Sequence, residues 1–206
     1  MTLSAVVFDL DNSLYPETDY LLGVLRYFGQ QYDIDVAPAL AAYRPDMRNP
    51  GSDILGHLLT LAGCMTPQNH QRLFSLYTSA PLTLALYPQA EPLLKALRSQ
   101  GVKLGVLTNG IVAVQRNKVA SLGLDAWVDG VCYARELGAE KEKPHPEAFS
   151  RCCAMLGVPA EQALMVGDDW NNDIQGAQAV GMQTFWLEHD NGRSLAEMKM
   201  WLNQHA

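Results

Sequence analysis

Short apolar runs, each giving way to polar residues, alternate with helix-patterned stretches along most of this chain, and that rhythm limits the possible folds. The runs are residues 5–8 (AVVF), 103–107 (KLGVL), 127–133 (WVDGVCY), 163–166 (ALMV) and 183–187 (QTFWL). They are brief, β-prone and apolar on consecutive positions, as strands covered on both faces must be. Between them, residues 90–100 set Leu93, Leu94 and Leu97 on one helical face and stop at Gly101. Residues 112–122, 146–156 and 174–180 read as helices in the same way. Strand and helix alternating with short turns predict an α/β fold, a Rossmann-like doubly wound parallel sheet.

Residues 15–87 break the rhythm. They hold no convincing strand and four helical stretches, 20–31, 37–43, 52–62 and 67–78, punctuated by Pro45, Pro50 and Gly51. The expected organisation is a core of residues 1–14 and 88–206 with an inserted α-helical cap at 15–87. At 206 residues the chain suits one core with an insertion better than two independent domains.

Composition narrows the partners. A net charge of -7 offers no basic field for nucleic acid or anionic lipid, and no apolar run approaches the ~20 residues of a membrane span. Cys64, Cys132, Cys152 and Cys153 lack metal-ligand spacing, and adjacent Cys152–Cys153 is poor disulfide geometry. Free thiols, a short acidic-flanked N-terminal run and no signal-like segment predict a cytoplasmic protein; a monomer or homodimer is expected, though no residue pattern chooses between them.

In doubly wound sheets ligands bind outside the carboxyl ends of the strands. The residues following each run are therefore the informative ones. They are Asp9, Asp11, Asn12 and Ser13 after the first, Thr108–Asn109–Gly110 after the second, Lys143–Pro144 beyond the third, and Asp168, Asp169 and Asp173 after the fourth. Alternation along an extended strand puts Asp9 and Asp11 on one side, and buried carboxylates that close need a cation. With Asp168 from a neighbouring strand they would form an all-oxygen site suited to Mg²⁺. The Thr108 hydroxyl, the Asn109 amide, Gly110 and Lys143 would then meet the oxygens of a phosphate. Carboxylate attack on phosphorus would give an aspartyl-phosphate, and Asp11 is placed to move a proton to the leaving oxygen.

The segments VVFDLDNSL (6–14), VLTNG (106–110), KPHPEAF (143–149) and VGDDWNNDIQGAQAVGM (166–182) together resemble the haloacid dehalogenase superfamily. The likeness is to its phosphatase branch with a helical cap inserted after the first motif. It implies Asp9 as nucleophile, Asp11 as acid and base, Thr108 and Lys143 as phosphate ligands, and Asp168 as an acidic metal ligand. Asp9, Asp11 and Asp173 complete the expected metal set, with Mg²⁺ as cofactor and a small phosphorylated metabolite as substrate. DNSLYP is also similar to the opening of pyrimidine-nucleotidase-like members. Ser13 replaces the usual threonine or valine, and the longer GAEKEKP loop makes Lys141 a rival to Lys143, whose KPHPEAF context fits better. A sugar-phosphate mutase would keep the same set. A haloacid dehalogenase would need neither metal nor Asp11, and a non-catalytic phosphate-binding protein would not need every catalytic position intact.

Other features have ordinary structural readings. The Asp168, Asp169 and Asp173 cluster doubles as a helix N-cap pattern. His145 reads as structural, and Trp170 as a lid contact or surface packing. Arg44, Asp46 and Arg48 read as an exposed cap loop.

Overall fold

The computed structural model describes residues 3–48, 51–188 and 191–205. Five strands, β1 (Ala5–Phe8), β2 (Lys103–Thr108), β3 (Gly130–Tyr133), β4 (Ala163–Gly167) and β5 (Gln183–Trp186), form one sheet in the order β3-β2-β1-β4-β5. All four pairings are parallel. The chain runs outward from β1 to β3 and then crosses back to β4 and β5. The order therefore reverses at the β1/β4 seam, the switch point where α/β sheets bind ligands. Phe8 is level with Val106 on one side and Val166 on the other, so the residues after all three open at one edge.

β1 is fully buried along its length, as a central strand covered on both faces must be. One covering layer includes α7 (Pro146–Leu156), whose Phe149, Cys152 and Leu156 pack with Val7, Leu107 and Met165. A Cβ on Gly105 would meet Leu156 Cδ1 at 2.9 Å, so a glycine there lets α7 approach β2 closely. α5 (Ala90–Ser99) buries Leu93, Leu94 and Leu97, the face its leucine spacing predicts. All four cysteines are free thiols.

Two differences from the sequence reading have local causes. The third run forms a strand only from Gly130, because Asp129 turns its carboxylate onto the Leu104 N–H at 2.8 Å and Leu124–Ala126 coil into a 3₁₀ turn. A further helix, Leu195–His205, begins directly after Ser194 and carries Glu197 in its first turn, a capping-box spacing that could have marked it.

The chain divides into two compact units, Met1–Pro16 with Ala85–Ala206, and Glu17–Leu84. The expected insertion began at 15 and ended at 87. Tyr15 stays with the sheet unit through its hydroxyl bond to Asp11, and Tyr87 through its N–H bond to Leu14 O. The inserted unit is helical: α1 (Glu17–Tyr32), α2 (Ala37–Ala42), α3 (Ile54–Leu61) and α4 (Pro67–Ser79). Asp53 caps α3 and Thr66 caps α4 through side-chain oxygens, and Tyr20 donates to Tyr77 O. Arg48 pairs with Glu17 at 2.6 Å within this unit. No helix among the described residues is long and apolar enough to cross a membrane.

Candidate active site

At the carboxyl edge of the sheet a cleft of about 200 Å³ is lined by Asp9, Asp11, Thr108, Lys143, Asp168 and Asp173, with Asn12, Asn109, Asp169 and Asn172 at its margins. Asp9 is delivered by β1 and locked to its neighbour by its N–H bond to Val166 O. Thr108 closes β2, and Asp168 follows β4 directly. A volume of this size suits a phosphoryl group with an ion better than a whole large ligand.

Asp9, Asp168 and Asp173 each offer a carboxylate oxygen, and these lie within 4.8 Å of one another. Lys143 reaches into the same group: its Nζ is 2.5 Å from Asp9 Oδ1 and 2.6 Å from Asp173 Oδ1, with 5 % of the residue exposed. Burial raises the Asp9 carboxyl well above the usual range; Lys143 pulls it down, and Asp173, Asp11 and Asp168 push it up again. Burial and then Asp173 push Asp168 up to about 6. Burial disfavours the Lys143 charge, yet Asp173 and Asp9 outweigh it and hold the ammonium protonated.

The charge balance shows what is missing from this set. Five carboxylates line the cleft, whereas Lys143 and the Asp11 partner Lys118 are the cations bonded to them. Burial first, and then the neighbouring carboxylates, make Asp9 and Asp168 resist ionisation. A hard divalent cation among Asp9, Asp168 and Asp173 would relieve both, so these residues fit such an ion.

Asp9 and Asp11 line the same cleft, but they have different partners. Strand β1 ends at Phe8, so alternation no longer governs Asp11, and Asn12 turns the chain with φ 57°, a left-handed conformation asparagine tolerates. The Asp11 carboxylate lies outside the three-carboxylate group and meets Lys118 Nζ at 2.8 and 2.7 Å, with Tyr15 Oη at 2.5 Å. Burial would raise its pKa, but Lys118 and the hydrogen bonds win and lower it.

Asn109 and Gly110 both have partners in the loop that carries Lys143. The Asn109 side chain accepts from Lys143 N and donates to Lys143 O, both at 2.8 Å, so its amide braces the Lys143 loop at the margin of the cleft. The Gly110 N–H donates to the Glu142 carboxylate, which Arg135 also holds. Of the two rival lysines, Lys143 enters the cleft, and Lys141 pairs with Glu147 at 2.8 Å on the surface.

The acidic cluster divides its labour. Asp169 caps the π-helical turn Trp170–Gln175, accepting from Asn171 N and Asn172 N at 2.9 Å. Asp173 points back into the cleft and accepts from Asp169 N. Ser13 donates to Asp168 at 3.2 Å. His145 caps α7, accepting from Glu147 N, and Trp170 lies edge-on to Trp186. Sequence reasoning missed Tyr15, Gln115, Lys118 and Glu142; polar Gln115 and Lys118 fall within the buried stripe of α6 (Val112–Leu122), a signal that was available.

Comparisons with known proteins agree with this geometry. Residues 3–181 match the family of haloacid dehalogenase-like hydrolases. A ribulose-1,5-bisphosphate 5-phosphatase of Halopiger xanaduensis is 34% identical over 200 residues, 88% of this chain and 83% of its own. A glyceraldehyde 3-phosphate phosphatase of Methanopyrus kandleri is 29% identical over 194 residues, 88% and 82%. Among solved structures, a phosphatase of the family from Thermococcus onnurineus superposes with a TM-score of 0.64 at 29% identity, covering 98% of each chain. A putative hydrolase of the family from Bacillus subtilis, bound to magnesium, gives 0.68 at 20% identity, covering 98% of this chain and 100% of its own.

The chain belongs to the haloacid dehalogenase-like hydrolases. It is a phosphatase-type member: its relatives over most of its length are phosphoric monoester hydrolases.

Proposed function

We propose that this protein hydrolyses a small phosphorylated metabolite, with Mg²⁺, through a phosphoryl group carried on Asp9. The observation that carries the reading is the convergence of Asp9, Asp168 and Asp173 with the Lys143 ammonium at the β1/β4 switch point. That set balances the charge of a bound phosphate only if an ion joins it, which favours phosphoryl transfer over dehalogenation. The magnesium-bound relative supports the choice of ion.

Asp9, Asp168 and Asp173 would hold Mg²⁺, which supplies positive charge beside the phosphoryl oxygens and the attacking carboxylate. Lys143 and the Thr108 hydroxyl bind the remaining oxygens and orient phosphorus against Asp9. An Asp9 oxygen forms a bond to phosphorus as the bond to the leaving oxygen breaks. The substrate monoanion brings a proton, which Asp11 passes to that oxygen so that a neutral alcohol departs. Water then attacks the aspartyl-phosphate, Asp11 takes its proton and returns it to the departing phosphate, and inorganic phosphate leaves with the Asp9 and Asp11 carboxylates restored.

The substrates named for the relatives, ribulose bisphosphate and glyceraldehyde 3-phosphate, set phosphorylated sugars first in the test. Phosphate release is measured from sugar phosphates, phosphoserine, phosphoglycolate and nucleoside monophosphates, with Mg²⁺ and with chelator. Turnover concentrated on one class and lost in chelator is expected. Undiminished release in chelator, or none from any ester, contradicts the reading.

A further inference from the structure

We propose that Gln115, assisted by Lys118 one turn further along α6, is a positioning residue that fixes the Asp11 carboxylate and the Thr108 hydroxyl in a single frame. The proposal rests on the phosphatase reading above and concerns two side chains which that reading leaves without a task.

Both residues are out of place for a solvated helix face. Gln115 is 3 % and Lys118 2 % exposed, on a helix that also buries Val114, Val119 and Leu122. Long polar side chains are rarely buried so fully unless paired, and a buried ion pair gains little stability over an apolar one of similar volume. What they contact is therefore more informative than their burial.

Gln115 Nε2 lies 2.6 Å from Thr108 Oγ1, 2.7 Å from Asn109 O and 3.0 Å from Asp11 Oδ2. A carbonyl and an ionised carboxylate only accept, so these partners fix which end of the amide is nitrogen. One NH₂ group thus touches the acid/base carboxylate from the β1 end and the phosphate-facing strand end of β2. Lys118 Nζ grips both Asp11 oxygens, setting the plane of the carboxylate.

The direction of the bond to Thr108 has a chemical consequence. A hydroxyl that binds a phosphate oxygen must donate. The two Gln115 N–H groups are shared among three acceptors, and the contact to Thr108 Oγ1 is the shortest, 2.6 Å. The Thr108 oxygen therefore accepts and its proton points elsewhere; its contact with Asn109 O is long, 3.4 Å. Gln115 therefore presents Thr108 as a donor while holding Asp11 at a fixed distance from it. A leaving oxygen whose phosphoryl group sits on Thr108 would then meet Asp11 in register.

Misplacing an acid matters most where the leaving group needs a proton. The test therefore compares an alkyl monoester, such as glycerol phosphate, with p-nitrophenyl phosphate, whose leaving group departs without protonation. Single-turnover rates of alcohol or nitrophenolate release are measured with Mg²⁺ for wild type, Gln115→Met and Lys118→Met, alongside melting temperatures. The alkyl rate is expected to fall about 10²-fold, and the aryl rate by less than about tenfold. Should a methionine variant fail to fold, Gln115→Glu keeps the shape but replaces the donor, and the same selective loss is expected. Equal losses on both esters, or no loss on either, overturn the proposal while the phosphatase reading stands. A wild type inert toward both esters and every metabolite in the panel overturns that reading and this proposal with it.

Discussion

Lys143 Nζ lies 2.5 Å from Asp9 Oδ1, so the proposed nucleophile is already neutralised by a buried cation before any substrate arrives. The same ammonium reaches Asp173, which makes Lys143 a charge partner for the acidic group and, on the proposed reading, the contact for a phosphate oxygen.

Replacing Lys143 by methionine should therefore be costly. It leaves Asp9 and Asp173 buried without their cation, a loss of about 3–5 kcal/mol. Urea denaturation without divalent ion reads the loss, and phosphate release should fall by at least about 10²-fold. Unchanged stability would mean that the ion pair is not formed in solution.

Asp9→Asn should abolish phosphate release, by more than about 10³-fold, because an amide oxygen is not a competent nucleophile. The fold should survive, since the substitution removes one member of a crowded carboxylate set; circular dichroism and melting temperature check this. Activity that persists would move the nucleophile elsewhere.

Stability without divalent ion should fall as pH rises through about 6. Asp168 keeps its proton to about 6 when folded, against 3.8 for an ordinary carboxyl, so between these values the folded state binds more protons than the unfolded. Mg²⁺ needs the ionised form and competes with that proton. The rise in melting temperature on adding Mg²⁺ should accordingly be larger at about pH 7.5 than at about pH 5. An equal rise at both would exclude Asp168 as a ligand.

Gly167→Ala tests how Asp173 is held. A Cβ on Gly167 would sit 2.7 Å from Asp173 Cβ, so the carboxylate must swing out of the cleft. Mg²⁺ affinity, read by calorimetry, should fall at least about tenfold, a loss of about 1.4 kcal/mol.

The sheet and the identity of its polar strand ends were legible in the sequence because both depend on local pattern: buried runs of consecutive apolar residues, and the polar residues that end them. Lys143 could be preferred over Lys141 from context, and the cleft contains it. What side chains do at the site was less legible. Asn109 and Gly110 read as phosphate contacts, yet the Lys143 backbone and Glu142 hold them, partners more than thirty residues away. Asp11 does line the cleft with Asp9, but its bonds to Lys118, Gln115 and Tyr15 were not legible from alternation, which stops with the strand at Phe8. Gln115 and Lys118 escaped notice because polar residues three apart on a helix ordinarily face water. Their place on one helical face with Leu122 was legible, whereas their partners Asp11, Thr108 and Asn109 come only from the fold.

The most direct test of the central claim is to acid-quench the enzyme during turnover of its best substrate with Mg²⁺ and map the modified peptide by mass spectrometry. A phosphoryl group on Asp9, absent from the Asp9→Asn protein and from reactions run in chelator, is the predicted result. Phosphate release with no modified aspartate at any quench time, or modification of a different residue, would contradict it.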